Sequence, residues 1–241
     1  MVKPIPSQNC RSRIWAALAA CSLGWTATAA TVLQRGHVDL DVAFEDGALE
    51  LHWHVHEPEP EGTLFEPEDL VLEVGPAAAT FVPANPAYWF LGPPGSQVYV
   101  LPVVEHPELP FLGLSAEEIS PGLFAGNQIL LGLVNATGPG QVAVYSVDPF
   151  GSPTLWMYTG DGISAADAYT LYAGSHAHLY WAFTAPGSYD LEFVARGQLE
   201  GGSWVESDPG RFSFVVVPEP AAGALGLLGM ALWLIRRRLA T

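Results

Sequence analysis

Short alternations of apolar and polar residues, cut by glycine and proline, run through the middle of this chain, and no long helical period interrupts them between residues 31 and 217. The pattern predicts strands at His37–Phe44, Leu49–His56, Leu70–Val74, Val98–Val103, Gln128–Val134, Gln141–Val147, Thr154–Tyr158, His176–Phe183, Tyr189–Ala195 and Arg211–Val217. Many short strands with such spacing predict an all-β fold, an immunoglobulin-like antiparallel β-sandwich. Ala185-Pro186-Gly187-Ser188-Tyr189, ahead of inward Leu191 and Phe193, has the form of the corner where a tyrosine hydroxyl ties back to nearby backbone. The proline- and glutamate-rich segment Glu57–Glu68 predicts an exposed loop, and Pro83–Pro94 a second loop that packs down through Tyr88, Trp89 and Phe90. Ser115-Ala116-Glu117-Glu118 has the capping-box form and predicts a single helical turn, ended by Pro121-Gly122.

The first two strands form a hairpin whose register can be counted. Asp46-Gly47 is a favoured two-residue turn, so Glu45 faces Ala48 and the strands pair outward from there. Val42 then meets Leu51, Leu40 meets Trp53 and Val38 meets Val55, which gives one apolar face. On the other face Asp41 meets His52, Asp39 meets His54 and His37 meets His56. Directly opposed residues hold their Cβ atoms ~4.5–5.5 Å apart, so this face is a ladder of carboxylates and imidazoles. A register shifted by two residues keeps the face and changes the partners. His176 and His178 repeat the alternation on a distant strand, with Ala177, Leu179, Trp181 and Phe183 directed inward.

The two ends of the chain change the picture. Lys3, Arg11 and Arg13, the apolar Ile14–Trp25 and the small residues Ala27-Thr28-Ala29-Ala30 read as a signal peptide over residues 1–30, for removal by signal peptidase. Leu18-Ala19-Ala20-Cys21 offers a lipobox alternative in which Cys21 is acylated. Residues 218–241 hold Pro218-Glu219-Pro220, a 15-residue uncharged run from Ala221 to Ile235, and Arg236-Arg237-Arg238. That run is shorter than the ~20 residues of a standard span but can serve as a membrane helix with its flanks, the arginines staying cytoplasmic. The order of these pieces resembles the PEP-CTERM sorting signal that exosortases recognise in Gram-negative bacteria. The resemblance implies an inner-membrane anchor that exosortase cleaves near Pro218–Pro220, releasing the body to the cell surface or extracellular matrix. An uncleaved anchor is the alternative, and both place the body outside the cytoplasm.

Of the chain's 25 acidic and 9 basic residues, only Glu219 and six of the basic ones fall in these end segments. Residues 31–217 therefore carry 24 acids against Arg35, Arg196 and Arg211, a formal charge of −21 with no lysine. Nucleic acid and anionic lipid are poor partners for such a surface, while divalent cations or a cationic or metal-bearing partner suit it. Both cysteines lie before residue 31, which leaves no thiolate in the body for a disulfide, a metal or a nucleophile. A metal site here must be built from imidazole and carboxylate, a set that suits zinc. Solvated histidines that merely titrate near pH ~6.5 are the plainer alternative.

Arg35-Gly36-His37-Val38-Asp39, Phe90-Leu91-Gly92 with Gly95 and Val98–Pro102, Leu112-Gly113-Leu114, Gly138-Pro139-Gly140, and His176-Ala177-His178 with Trp181–Thr184 and Pro186–Tyr189 occur in that order. Over roughly residues 31–217 this set resembles the choice-of-anchor M domain and is similar to the actinobacterial surface-anchored repeat domain. The resemblance implies a surface protein in metal handling, with His37, His176 and His178 at motif positions and a metal-type ABC transporter as a partner. The anchor departs from the wall-sorting signals of actinobacterial members, which weakens the transporter association. His52, His54 and His56 lie outside the motif, so their role rests on the hairpin register alone; His54 or His56, with Asp39, completes or supports the candidate ligand set, and His106 in a proline-rich loop is incidental.

No Gly-x-Ser-x-Gly elbow, no lysine or cysteine nucleophile in the body and no His-Glu-x-x-His motif is present, so the sequence reads as a binder and not an enzyme. The first reading is an exported protein that binds a divalent transition metal, Zn2+ foremost, for capture or delivery. The alternative is a structural or adhesive exopolysaccharide-matrix protein with an acidic, calcium- or polysaccharide-binding face. A metal-dependent hydrolase is a third reading.

Overall fold

The computed structural model describes residues 30–56 and 62–219. The expected signal peptide, Cys21 and the tail from Pro220 through Arg236, Arg237 and Arg238 lie outside the described residues. Among those described, no helix is long and apolar enough to cross a membrane.

The described residues form an all-β fold in three sheets, with a few short 3-10 turns. The first has the order β1 (Thr31–Leu33), β5 (Leu70–Val74), β17 (Gly210–Val216), β15 (Gly187–Leu199), β9 (Phe124–Thr137) and β12 (Ala168–Tyr172), with β16 (Trp204–Glu206) on β15. The second runs β11 (Pro153–Tyr158), β10 (Val142–Val147), β14 (Tyr180–Phe183), β7 (Gln97–Leu101) and β6 (Ala79–Phe81). The third runs β13 (His176–His178), β8 (Pro110–Ser115), β2 (Gly36–Glu45), β3 (Ala48–Val55) and β4 (Thr63–Phe65).

The second and third sheets share one partner, the first. Trp53 of β3 packs edge-on against Phe212 and Phe214 of β17 at 4.8 and 5.8 Å, and Trp181 of β14 lies 5.9 Å from the same Phe214. These aromatic contacts bind both sheets to a single buried core. A smaller apolar cluster on the other side of the second sheet, including Val98, Ala143 and Ala182, is covered by Phe90 and Leu91, so the loop packs down as expected through Phe90, with Tyr88 half-buried and Trp89 left exposed.

The hairpin pairs in the counted register, Val38 with Val55, Asp39 with His54, Leu40 with Trp53 and Asp41 with His52. Its turn residues take positive φ, 47° at Asp46 and 88° at Gly47, as the two-residue turn requires. The tyrosine corner forms too. Tyr189 donates its hydroxyl hydrogen to the Ala185 carbonyl at 2.7 Å and accepts from the Ala185 N–H at 3.3 Å. Tyr189→Phe should cost about 1–2 kcal/mol in urea unfolding, since it strips both bonds from a half-buried loop, and should leave metal affinity unchanged.

Four expectations need correction. The sheets are not purely antiparallel: β1–β5, β5–β17 and β2–β8 are parallel pairs. The single strand expected over His176–Phe183 is two strands in different sheets, because β13 pairs with β8 while β14 pairs with β10 and β7, the chain changing sheets at buried Leu179. The helical turn expected at Ser115–Glu118 is a single hydrogen-bonded β-turn, Ala116 to Ile119, after the end of β8. Ser115 ends β8, its hydroxyl oxygen accepts from the Glu117 N–H, and the Ile119 N–H closes the bend onto the Ala116 carbonyl. The loop expected over Glu57–Glu68 contains the edge strand β4, held by Phe65 packing on the core.

Candidate metal centre

The third sheet presents its polar side as aligned rows. Leu112 and Leu114 of β8 point into the core, which puts Phe111, Gly113 and Ser115 on the opposite face. Parallel pairing sets His37 beside Phe111, Asp39 beside Gly113 and Asp41 beside Ser115. On the far side of β8, His178 pairs with Gly113 and His176 with Ser115. One row therefore reads His178–Gly113–Asp39–His54, and the next His176–Ser115–Asp41–His52. The sheet change at Leu179 is what brings residues 176–178 onto this face.

The rows bring His37 to the 176/178 pair. Ring centroids lie 5.1 Å apart for His37 and His178, 6.0 Å for His37 and His176, and 5.3 Å for His176 and His178. One ligand atom from each of these three histidines falls within 4.8 Å of the others, and the same holds for His37, Asp39 and His56. His37 is common to both arrangements, and Asp39, in the second, has 0% of its surface exposed. Its Oδ2 lies 2.9 Å from His56 Nε2 in a hydrogen bond. Its Oδ1 faces His37 Nε2 at 3.3 Å, near enough for an ion pair were that ring protonated, yet neither atom makes a hydrogen bond.

Two of the imidazoles are already oriented as ligands. His178 Nδ1 lies 3.1 Å from the Leu112 carbonyl and so donates its proton there, leaving Nε2 with its lone pair. Phe111 stacks on the same ring at 3.6 Å. Burial holds the His178 pKa below the ordinary imidazole value, and the bond to Leu112 offsets part of that shift. His176 Nδ1 contacts Glu117 Oε1 at 2.7 Å, the carboxylate–imidazole pairing that fixes ring orientation in metal sites.

Of the residues expected from sequence, His37, Asp39, His56, His176 and His178 converge. His54 stands apart from these groups. Its ring lies 4.1 Å from that of His56, and its Nε2 approaches Gly62. His106 lies on the rim of an open groove of ≈ 480 Å³ that borders His37, Phe111 and Arg35. Sequence reasoning missed Glu117, absorbed into the helical-cap reading, and Gly113, whose missing side chain leaves the space where Asp39 and His178 meet. It also missed that Asp41 is 1% exposed, with neither carboxylate oxygen hydrogen-bonded. A scan against family models finds no match for this chain, and a comparison with curated proteins finds none either.

Proposed function

We propose that this is an exported envelope protein that binds a divalent transition metal ion, Zn2+ foremost, through His37, His176, His178 and Asp39, for capture or delivery and without catalysis. The observation that carries the reading is the facing pair His37 Nε2 and Asp39 Oδ1, 3.3 Å apart, buried and without hydrogen bonds. A buried carboxylate oxygen and an imidazole nitrogen left unpaired are costly, and a cation between them removes the cost. A tetrahedral zinc with ligands ~2.0–2.1 Å away separates adjacent ligand atoms by about 3.3 Å, which is the spacing of this pair. His56 holds the second oxygen of Asp39 and Glu117 holds His176, so the outer partners that orient ligands are in place.

The sequence supports the remaining parts of the proposal. The leader, the PEP-CTERM-like tail and the choice-of-anchor M resemblance argue for export, exosortase sorting and an immunoglobulin-like body, and the tyrosine corner agrees with the last of these.

Zinc titration of the purified full-length chain against a competing chelator tests the centre. His37→Ala should weaken this zinc position by at least about 100-fold, more than the 10–100-fold that loss of an outer partner costs. Acidification should act in the same direction. A protonated imidazole cannot ligate, so affinity should fall as the solution is made acidic. The depressed pKa of His178 keeps that ligand neutral further into acid. Zinc affinity indifferent to His37→Ala, with calcium bound instead, would favour the matrix-protein reading, since calcium takes six to eight oxygens.

A further inference from the structure

His37 belongs to two ligand triads at once. One ligand atom each from His37, His176 and His178 lies within 4.8 Å of the others, and the same holds for His37, Asp39 and His56. The strand order explains the sharing. β2, which carries His37, has β13 with the 176/178 pair on one side, across β8, and β3 on the other, with His56 directly after its end. The His37 ring accordingly stacks on that of His56 at 4.5 Å and tilts toward that of His178 at 5.1 Å. A neutral imidazole offers a single lone pair, so His37 serves one ion at a time and the two triads are alternatives.

The triads differ in how far they enclose an ion. Asp39 completes the first, the imidazole-rich position, to four protein ligands, and a four-ligand zinc site is closed. The second has three protein ligands and leaves a fourth place open. His37 and His56 both reach the surface, at 24% and 29% side-chain exposure, so a donor from outside can approach that place. An ion passing from the first triad to the second keeps His37 and Asp39 and exchanges His176 and His178 for His56. It is never stripped of protein ligands on the way. His56 is already in position, its Nε2 2.9 Å from Asp39 Oδ2, close to the ~3.3 Å between adjacent ligand atoms of a tetrahedral zinc. The arriving ion takes the place of the hydrogen in that bond, and the neutral ring carries its proton on Nδ1 instead.

Resting on the metal-binding reading above, we propose that His37, Asp39 and His56 form a second, open seat for the same ion, through which it leaves the imidazole-rich position for an incoming donor. Capture and delivery then use different ligand sets joined by His37 and Asp39. His56 has two tasks in turn, holding Asp39 while the ion sits in the first position and ligating the ion as it departs.

The test uses the full-length chain with zinc alone. The wild type should bind one ion per chain. His176→Ala/His178→Ala, stripped of the first position, should still bind one ion, at least about 1,000-fold more weakly than the wild type. Adding His56→Gln should weaken that residual binding by a further 100-fold or so. A glutamine amide can still donate a hydrogen to Asp39, so a histidine that merely orients the carboxylate would be replaced there without loss, and the fold keeps that bond. In the otherwise wild-type chain, His56→Gln should slow zinc release to excess chelator severalfold, because the open seat is lost as an exit. Four results each overturn the second seat and leave the first standing: two ions in the wild type, no zinc on the double variant, residual binding indifferent to His56→Gln, or unslowed release. No zinc bound by the wild type overturns both.

Discussion

Replacing His176 and His178 together by alanine should cost the imidazole-rich position at least about 1,000-fold in zinc affinity while changing metal-free stability by no more than about 1.5 kcal/mol. The first figure follows from removing two of four ligands, where one outer partner alone is worth 10–100-fold. The second follows from where the pair sits. β13 is a three-residue edge strand, His176 is exposed, and the only sizeable packing lost is the stack of His178 on Phe111 at 3.6 Å. Aromatic pairs of this kind contribute roughly 0.5–1.5 kcal/mol. Thermal melts with and without zinc give an independent reading. An ion held only by the folded state stabilises it by about 2.7 kcal/mol at a hundred times Kd. The double variant should lose the share of that upshift that belongs to this position. A variant that keeps wild-type zinc affinity would move the centre elsewhere.

The hairpin half of this centre was legible from residue types alone. Asp46-Gly47 fixes the turn, the turn fixes the register, and the register puts His37, Asp39 and His56 on one face opposite Val38, Leu40 and Trp53. Each step is local, and local chemistry is what a single sequence states most clearly. The other half depends on a parallel pairing of β2 with β8, which no turn specifies because the partners are far apart in the chain. β8 itself was hidden. Gly113 breaks its alternation, and the Ser115–Glu118 spacing points to a helix cap that the end of a strand uses differently. The sheet change at Leu179 was also silent, since His176–Phe183 alternates without interruption and only the partners on either side reveal the switch.

Burial of the two aspartates lies in the same class. A sequence shows Asp39 and Asp41 on a polar face; it does not show that imidazoles from three strands roof that face over. Once roofed, the carboxylates become the most costly groups in the sheet. The pattern is the one expected where a site has been built at some expense to the apo fold.

Gly113→Ala should destroy the centre with a single methyl group. Gly113 lies between Asp39 and His178 in the row, and a Cβ added there would overlap Asp39 Oδ1 and come to 3.1 Å from His178 Cε1. Its φ is not in the left-handed region, so what the position demands is room and not conformational freedom. Two responses are open. Asp39 can rotate its carboxylate away, which breaks its hydrogen bond to His56 and removes Oδ1 from His37; or β8 can shift, which moves the whole row. Overpacking of this kind costs roughly 1–3 kcal/mol, so the protein should still fold. Zinc affinity at the imidazole-rich position should nonetheless drop by about 100-fold or more, because a displaced ligand is lost as surely as a deleted one. Gly132→Ala is the matched control. Gly132 also sits inside a strand, and its added Cβ would meet nothing nearer than the Val194 carbonyl at 3.8 Å, an ordinary contact. That variant should keep wild-type zinc binding and match or slightly exceed wild-type stability, through the lower entropy of alanine in the unfolded chain. Urea unfolding and zinc titration of the two variants side by side separate loss of metal from loss of fold, and a Gly113→Ala protein that binds zinc like the wild type would remove Asp39 from the ligand set.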